Sequence, residues 1–294
     1  MTAPLLGEIR PCVHRFVLGE AEVTTILDGA MTLPAVSPPF AMDMRPGRMQ
    51  AIAAANRLPD DRVENTFTPT LVNTGSALVL FDVGFGGFGR DKGAGNLRAR
   101  LADAGYAPED VDIVAFTHMH PDHIAGVMEG DALAFPNARH VIGRHEFDEW
   151  SSGENIPVQR QQNREMFLRL ITPLADRLEF VDDGQAVAAG ITAEAAYGHS
   201  LGHMMYRVES AGKSVLIWGD VANHYVFSVQ YPENRVAFDD DPEQAISTRK
   251  RVLNMVADGG TLVIGHHMPF PSVGYVERAG DSYRWVPATY QLRV

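Results

Sequence analysis

Cysteine is nearly absent. Of 294 residues only Cys12 carries a thiol, so no disulfide can form within the chain and the fold has no dependence on an oxidising compartment. Cys12 lies between Pro11 and Val13, far from the histidine-rich segment, and reads as a small buried hydrophobe. Positive charge is also short. Lys and Arg total 25 against 37 Asp and Glu, a formal net charge of -12, which repels phosphate backbones and argues against nucleic acid or an anionic membrane as partner. The densest basic run, Arg249-Lys250-Arg251, falls in an amphipathic pattern and reads as a solvated helix face. No apolar run approaches the roughly 20 residues of a membrane span. The opening Met1-Thr-Ala-Pro-Leu-Leu-Gly-Glu8 lacks a basic segment followed by a long apolar one, so no secretory leader is visible. The expectation is a cytoplasmic protein with neither nucleic acid nor membrane as partner.

What the chain has in excess is imidazole in one place. Thr117-His118-Met119-His120-Pro121-Asp122-His123 follows the apolar run Val111-Asp112-Ile113-Val114-Ala115-Phe116, which reads as a buried strand. Neutral imidazoles offer nitrogen lone pairs to a borderline metal such as zinc, and Asp122 adds an anionic oxygen. Side chains on so short a turn cannot all face one ion. The spacing favours a split, with His118 and His120 toward one metal and Asp122 and His123 toward a second.

Along the chain, residues 12 to 28 alternate as an opening hairpin about Gly19-Glu20. From about 34 to 65 the texture changes, with Pro34, Pro38, Pro39, Pro46 and Pro59 in a Pro/Met-rich excursion that holds one short helical stretch at Arg48 to Arg57. It reads as a dimer arm, a flap over the site or a plain surface loop, and it makes a homodimer plausible. A second hairpin follows over Phe67 to Val72 and Ala77 to Val83, ending in Asp82-Val83-Gly84, with Asp82 placed to fix loop amides. The glycines from Gly84 to Gly89 do not form a dinucleotide fingerprint, because their spacing is wrong and no helix opens at the third. Helices are expected at Asn96 to Ala104, Arg144 to Trp150, Asn155 to Leu174 and Glu243 to Ala257. Strands are expected at 138 to 142, 178 to 181, 191 to 195, 204 to 208, 214 to 218, 261 to 264, 273 to 277 and 282 to 286. Strand-rich stretches interrupted by helices occur twice without a clean linker. The expected architecture is a single α+β domain over residues 1 to 294, a four-layer αββα sandwich of two mixed sheets packed face to face with helices outside.

Three further candidates stand at strand ends: His199 in Tyr197-Gly198-His199-Ser200-Leu201-Gly202-His203, Asp220 after Val215 to Gly219, and His266 after Leu262 to Gly265. A carboxylate can bridge two cations, whereas a neutral imidazole presents one lone pair, so Asp220 is the natural bridge. In the order HxHxDH, His, Asp, His, and with the upstream Asp82-Val83-Gly84, the chain resembles the metallo-β-lactamase superfamily over nearly its whole length. The resemblance implies that His118, His120 and His199 hold a first metal, that Asp122, His123 and His266 hold a second, and that Asp220 bridges them. It implies two divalent ions, zinc first, with manganese, iron or cobalt also suited to such donors. His203 reads as an outer partner of the ligands or as turn-forming. His267 is expected to point away from its neighbour His266 and to serve structure.

Within the superfamily, enzymes that cleave β-lactams with a cysteine ligand are disfavoured, because Asp220 holds the bridging place and Cys12 is out of reach. RNA-processing members are disfavoured by the charge. The stretches from Asp82 to Gly126 and from Gly265 to Gly274 look most like the methyl parathion hydrolase group and the quorum-quenching lactonases. The activity implied is hydrolysis of a small ester-like bond, in a lactone or an organophosphate or aryl ester, by a metal-bridging hydroxide. Asp122 and Asp220 are the expected catalytic carboxylates, with Asp122, His224 or Tyr225 delivering a proton to an alkoxide leaving group. Phe85, Phe88, Trp150, His224, Tyr225 and Phe270 are candidates for the substrate wall. A thioesterase resembling glyoxalase II is weaker, since no basic patch for peptide carboxylates is evident. A non-catalytic metal-dependent ligand-binding protein on the same fold would be expected to have lost ligands, and none is lost.

Overall fold

In the computed structural model, residues 3–45 and 47–294 are described; Met1, Thr2 and Pro46, the last counted above among the prolines of the excursion, lie outside the described residues. Two seven-stranded sheets form the body. The first runs in the order Val13–Leu18, Ala21–Ile26, Thr70–Asn73, Leu78–Phe81, Ile113–Ala115, Arg139–Gly143, Leu178–Val181. The second runs Ala186–Ala188, Ile191–Ala195, Met204–Ser210, Lys213–Ile217, Leu262–Ile264, Val273–Ala279, Ser282–Pro287. Both are mixed, since parallel pairs such as Leu78–Phe81 with Ile113–Ala115 sit among antiparallel ones.

The period-2 alternation of the strands builds the layers. Val79, Phe81, Ile113 and Ala115 of the first sheet meet Ile191, Val215, Ile217 and Ile264 of the second in one buried cluster between the sheets. Their neighbours Leu78, Leu80 and Val114 point outward, beneath Leu97, Leu101, Trp150 and Phe167 of the helical layer. On the far side Leu216 and Val263 pack under Val252, Leu253 and Val256 of the helix Pro242–Gly259. The expected four layers are present. Each buried aliphatic side chain contributes about 1.5–3 kcal/mol, so a one-residue slip of a strand, which would swap its faces, is strongly opposed.

Several expectations need correction. Arg249 is not on a solvated face. It is wholly buried, and its guanidinium binds the carbonyls of Val221, Pro232 and Asn234 and the carboxylate of Asp239. The helix expected from 155 to 174 is α-helical only over Gln161–Leu170, between 3-10 turns, as Pro157 and Pro173 forbid a continuous ladder. The excursion ends in a strand, Val63–Phe67, that pairs with Gly29–Leu33 as a two-stranded ribbon outside both sheets. Its remainder is no loose loop: Val36, Phe40, Met49 and Ile52 share a buried cluster with Val226, Phe227 and Val236. Among the described residues no helix is long and apolar enough to cross a membrane.

Candidate metal centre

Strand direction gathers the site. Leu78–Phe81 and Ile113–Ala115 are parallel, as are Lys213–Ile217 and Leu262–Ile264, and Ile191–Ala195 runs the same way through two antiparallel steps. Their C-terminal ends therefore deliver Asp82, the His118–His123 turn, His199, Asp220 and the pair His266-His267 to one edge of the sandwich. Three groups of metal-binding side chains form there, each with donor atoms within 4.8 Å of one another: His118, His120 and His199; Asp122, His123, His266 and His267; and His118, His123 and Asp220.

The tautomers are fixed from outside. His123 donates from Nδ1 to Asp82 Oδ2 (2.8 Å), His199 from Nδ1 to Asp239 Oδ1 (3.0 Å), and His120 from Nε2 to Asp240 Oδ2 (3.2 Å). His267 donates from Nδ1 to the Thr66 carbonyl (2.8 Å). The Thr117 hydroxyl gives its proton to Asp82 Oδ2 (2.9 Å), so toward His118 Nδ1 (3.0 Å) it accepts. In its neutral form each of these five rings thus has one lone pair, on the nitrogen that faces inward. Carboxylate and carbonyl partners on the far nitrogen are the arrangement that orients metal-binding imidazoles.

Inward, the donors crowd and satisfy one another only in part. His120 Nδ1 stands 3.0 Å from His199 Nε2, and His199 Nε2 stands 3.2 Å from Asp220 Oδ2. His267 Nε2 is 2.9 Å from Asp220 Oδ2 and 3.3 Å from Asp122 Oδ2. His118 Nε2, His123 Nε2, His266 Nε2 and Asp220 Oδ1 are buried with no hydrogen-bond partner. Orphaned buried donors and acceptors cost about 1–3 kcal/mol each, and divalent cations would satisfy all four together. The charge balance agrees. Burial opposes protonation of His199, yet Asp220 and Asp239 outweigh it and raise it to about 9. Burial likewise opposes protonation of His267, but Asp220 and Asp122 lift it to about 10. Burial and the neighbouring His123 hold His118 and His266 well below the usual histidine range. The cluster calls for positive charge at its centre, and these groups fit a dinuclear metal site.

Residues 68–280 match the family model of the metallo-beta-lactamase superfamily. The chain belongs to that superfamily. No curated protein matches it. Among solved structures it is similar to AidC, a dizinc quorum-quenching lactonase seen in complex with a product, at 25% identity and TM-score 0.88, covering 95% of this chain and 98% of that one. A hydrolase of the beta lactamase superfamily, AbOPH, is similar at 26% identity and TM-score 0.88, over 96% and 99% of the two chains. An N-acyl homoserine lactone hydrolase with N-hexanoyl-L-homoserine at its catalytic metal center shares the fold at 18% identity and TM-score 0.62, over 87% and 100%.

In this metallo-beta-lactamase superfamily chain a cavity of about 250 Å³ opens over the donors, lined by His120, Asp122, His199, Asp220 and His267. Its walls add Phe67, Phe85 and Phe238, with Arg160 and Asn163 as polar members. Of the side chains expected around substrate, Phe85 is there, edge-on to Phe67 at 4.8 Å between centroids. Phe88 is not: it is 44% exposed, beneath the Arg169 guanidinium. Trp150 is wholly buried behind His120 and donates to Ser200 Oγ, because its position on an amphipathic helix turns it to the core. His224, Tyr225 and Phe270 line a second cavity of about 730 Å³. The ribbon divides the two: Met31 and Asn65 face the donors, whereas Thr32, Glu64 and Thr66 face the larger space. His224 Nδ1 accepts the amides of Val226 and Phe227, and burial pushes the ring down to about 3.

The expectation for His267 is overturned. His266 and His267 lie in a turn beyond the strand end, not on the strand, so alternation does not apply and both reach the cluster. His203 is turn-forming, as expected, with Nε2 accepting the Asp220 amide (3.1 Å). Sequence reading missed Asp239, Asp240, Arg160 and Glu146. The run Phe238-Asp239-Asp240-Asp241-Pro242 carried a signal, but Asp241 alone serves the helix as its N-cap, and its two neighbours turn inward.

Proposed function

We propose that this metal-dependent hydrolase opens small lactones, using a dinuclear centre held by His118, His120 and His199 on one side, Asp122, His123, His266 and His267 on the other, with Asp220 between them. The observation that carries the reading is the cavity itself. Its floor is inward-facing donors, its walls are mainly apolar, and at about 250 Å³ it suits a small ring and the first part of an attached chain. The 25% identity to a dizinc lactonase over 95% of the chain supports the same class.

Two divalent cations there would supply Lewis acidity and a water activated near neutral pH. The chain's own groups do the rest. The Asp239 and Asp240 carboxylates orient His199 and His120, while Asp82 orients His123 and the backbone of Thr117. Phe67, Phe85 and Phe238 exclude solvent from the acyl side. Asp122, with a side chain 17% exposed against 3% for Asp220, is the carboxylate placed to exchange a proton with a departing alkoxide. The aromatic wall also favours a second reading, an aryl ester or phosphotriester, whose phenoxide leaves without a proton.

The test is metal content measured beside hydrolysis of an acyl homoserine lactone, a simple γ-lactone, an aryl ester, methyl paraoxon and a β-lactam. Two metals per chain with chelator-sensitive lactone turnover supports the proposal; faster phosphotriester or aryl ester turnover selects the second reading. Fewer than one metal, or no turnover after reconstitution, removes both and leaves a binding protein.

A further inference from the structure

Glu146 is a wholly buried carboxylate in the first turn of the helix Arg144–Ser152, in the outer layer over the first sheet. It faces no donor of the cluster, yet both of its oxygens are spent on the backbone that carries them. Oε1 accepts the Met119 amide (2.8 Å), between His118 and His120, and the Ser200 hydroxyl (2.6 Å), next to His199. Oε2 accepts the Gly202 amide (2.8 Å). Ser200 in turn accepts from Trp150 Nε1 (3.0 Å), so its hydroxyl is held at both valences. The approach is tight: a Cβ on Gly202 would lie 2.1 Å from the Glu146 nitrogen. The two turns leave different sheets, and one carboxylate joins them across the seam. Burying it is costly, since desolvation raises the carboxyl to about 7 against the pull of Ser200, Met119 and Gly202.

We propose that Glu146 is a positioning residue which sets the distance between the His118/His120 turn and the His199 turn, and so keeps the first cation pocket preformed. The inference rests on the dinuclear reading above. All three bonds run from donors to the carboxylate, so an amide in its place would set an N–H against one of them. In its ionised form the carboxylate also holds these amides by stronger and shorter bonds than a neutral group would. The pocket's spacing is then encoded in a residue that never touches the metal.

Cobalt titration of the metal-free protein tests this, following uptake and the visible spectrum of the bound ion, with chelator competition for affinity. Glu146→Gln is expected to weaken the tighter of two binding events by roughly 10–100-fold and to shift the cobalt spectrum. Ser200→Ala, which keeps the carboxylate and two of its three bonds, is expected to weaken that event by about three- to tenfold. Unchanged affinity and spectrum in Glu146→Gln, with only a lower melting temperature, would overturn the inference and leave a structural clamp. Should Glu146→Gln not fold, Ser200→Ala decides: tight-site affinity within about twofold of the parent overturns it. Uptake of less than one cobalt by the parent protein would instead refute the dinuclear reading.

Discussion

The two sets of inward-facing donors are held by different means. Around His118, His120 and His199 the outer partners are a threonine hydroxyl and two carboxylates, and both carboxylates are themselves pinned by arginines, Asp240 by Arg160 (2.7 Å) and Asp239 by Arg249 (2.8 Å). Around His123 and His267 the outer partners are Asp82 and a backbone carbonyl, whereas the His266 ring makes no hydrogen bond with the described residues. The first set depends on long-range ion pairs into the Pro242–Gly259 helix and the turn before Gln161. The second depends on local backbone and on redundancy, two adjacent histidines where one lone pair would serve. The first pocket should therefore be the more rigid and the more easily broken by a distant change, and the second the more tolerant.

The largest expected effect removes the difference altogether. Asp220 lies against both sets, 3.2 Å from His199, 3.5 Å from His123 and 2.9 Å from His267. Asp220→Ala is expected to bring metal content below one per chain and lactone turnover down by at least about a thousandfold. Two retained metals would refute its place between the sites.

Next in size is a change that attacks one set from a distance. Arg249→Met leaves Asp239 buried without its cation and strands the carbonyls of Val221, Pro232 and Asn234. Breaking a buried pair from one side typically costs about 3–5 kcal/mol, and loss of an outer partner weakens a metal site about 10–100-fold. Chelator competition should show one cation released early and the other held. Equal weakening of both would mean that the contrast between the sets is only geometric.

Much of this was legible in the sequence, and the reason is period. The His118–His123 turn follows an apolar strand, and His199, Asp220 and His266 each end another, so strand direction alone brings them to one edge. The partners that hold the ligand turns and fix the tautomers were not legible, because Asp239, Asp240 and Glu146 act across 27 to 120 residues of chain and sit in segments whose local pattern has a sufficient local explanation. Arg249 shows the same limit: a basic triplet on an amphipathic helix reads as solvent-facing, and the three carbonyls of the 221–234 loop with the Asp239 carboxylate turn one arginine inward. His267 failed for the opposite reason, since strand alternation was applied beyond the strand, which ends at Ile264.

That failure sets up the third test, within the second set. His267 Nε2 faces the cavity and both carboxylates, whereas the His266 ring lies against His123, 4.0 Å between centroids. His267→Gln is expected to lose the second cation by roughly 10–100-fold and His266→Gln by only a few-fold, read by metal content after gel filtration. The reverse order would make His266 the principal donor and His267 its support.

The smallest effect comes from an imidazole outside both sets. His140 is buried on the strand Arg139–Gly143, stacked on Phe116, with neither nitrogen partnered. Burial, helped by the charge of Arg177, pushes it down to about 4, whereas carboxylates raise His199 to about 9. The unfolded chain takes up this proton near pH 6.5 and the folded chain resists until about 4. Its titration therefore costs nothing above pH 6.5, and stability is lost as the pH falls from there toward 4, at most about 1.4 kcal/mol per unit. His140→Phe keeps the stack, removes two unsatisfied nitrogens and should match or exceed the parent's melting temperature at pH 7.5. Between pH 6.5 and 4.5 its melting temperature should fall less steeply than the parent's. Parallel slopes would show that His140 already protonates in the folded state. The acid sensitivity would then belong to the clustered histidines, whose neutral forms metal would otherwise protect.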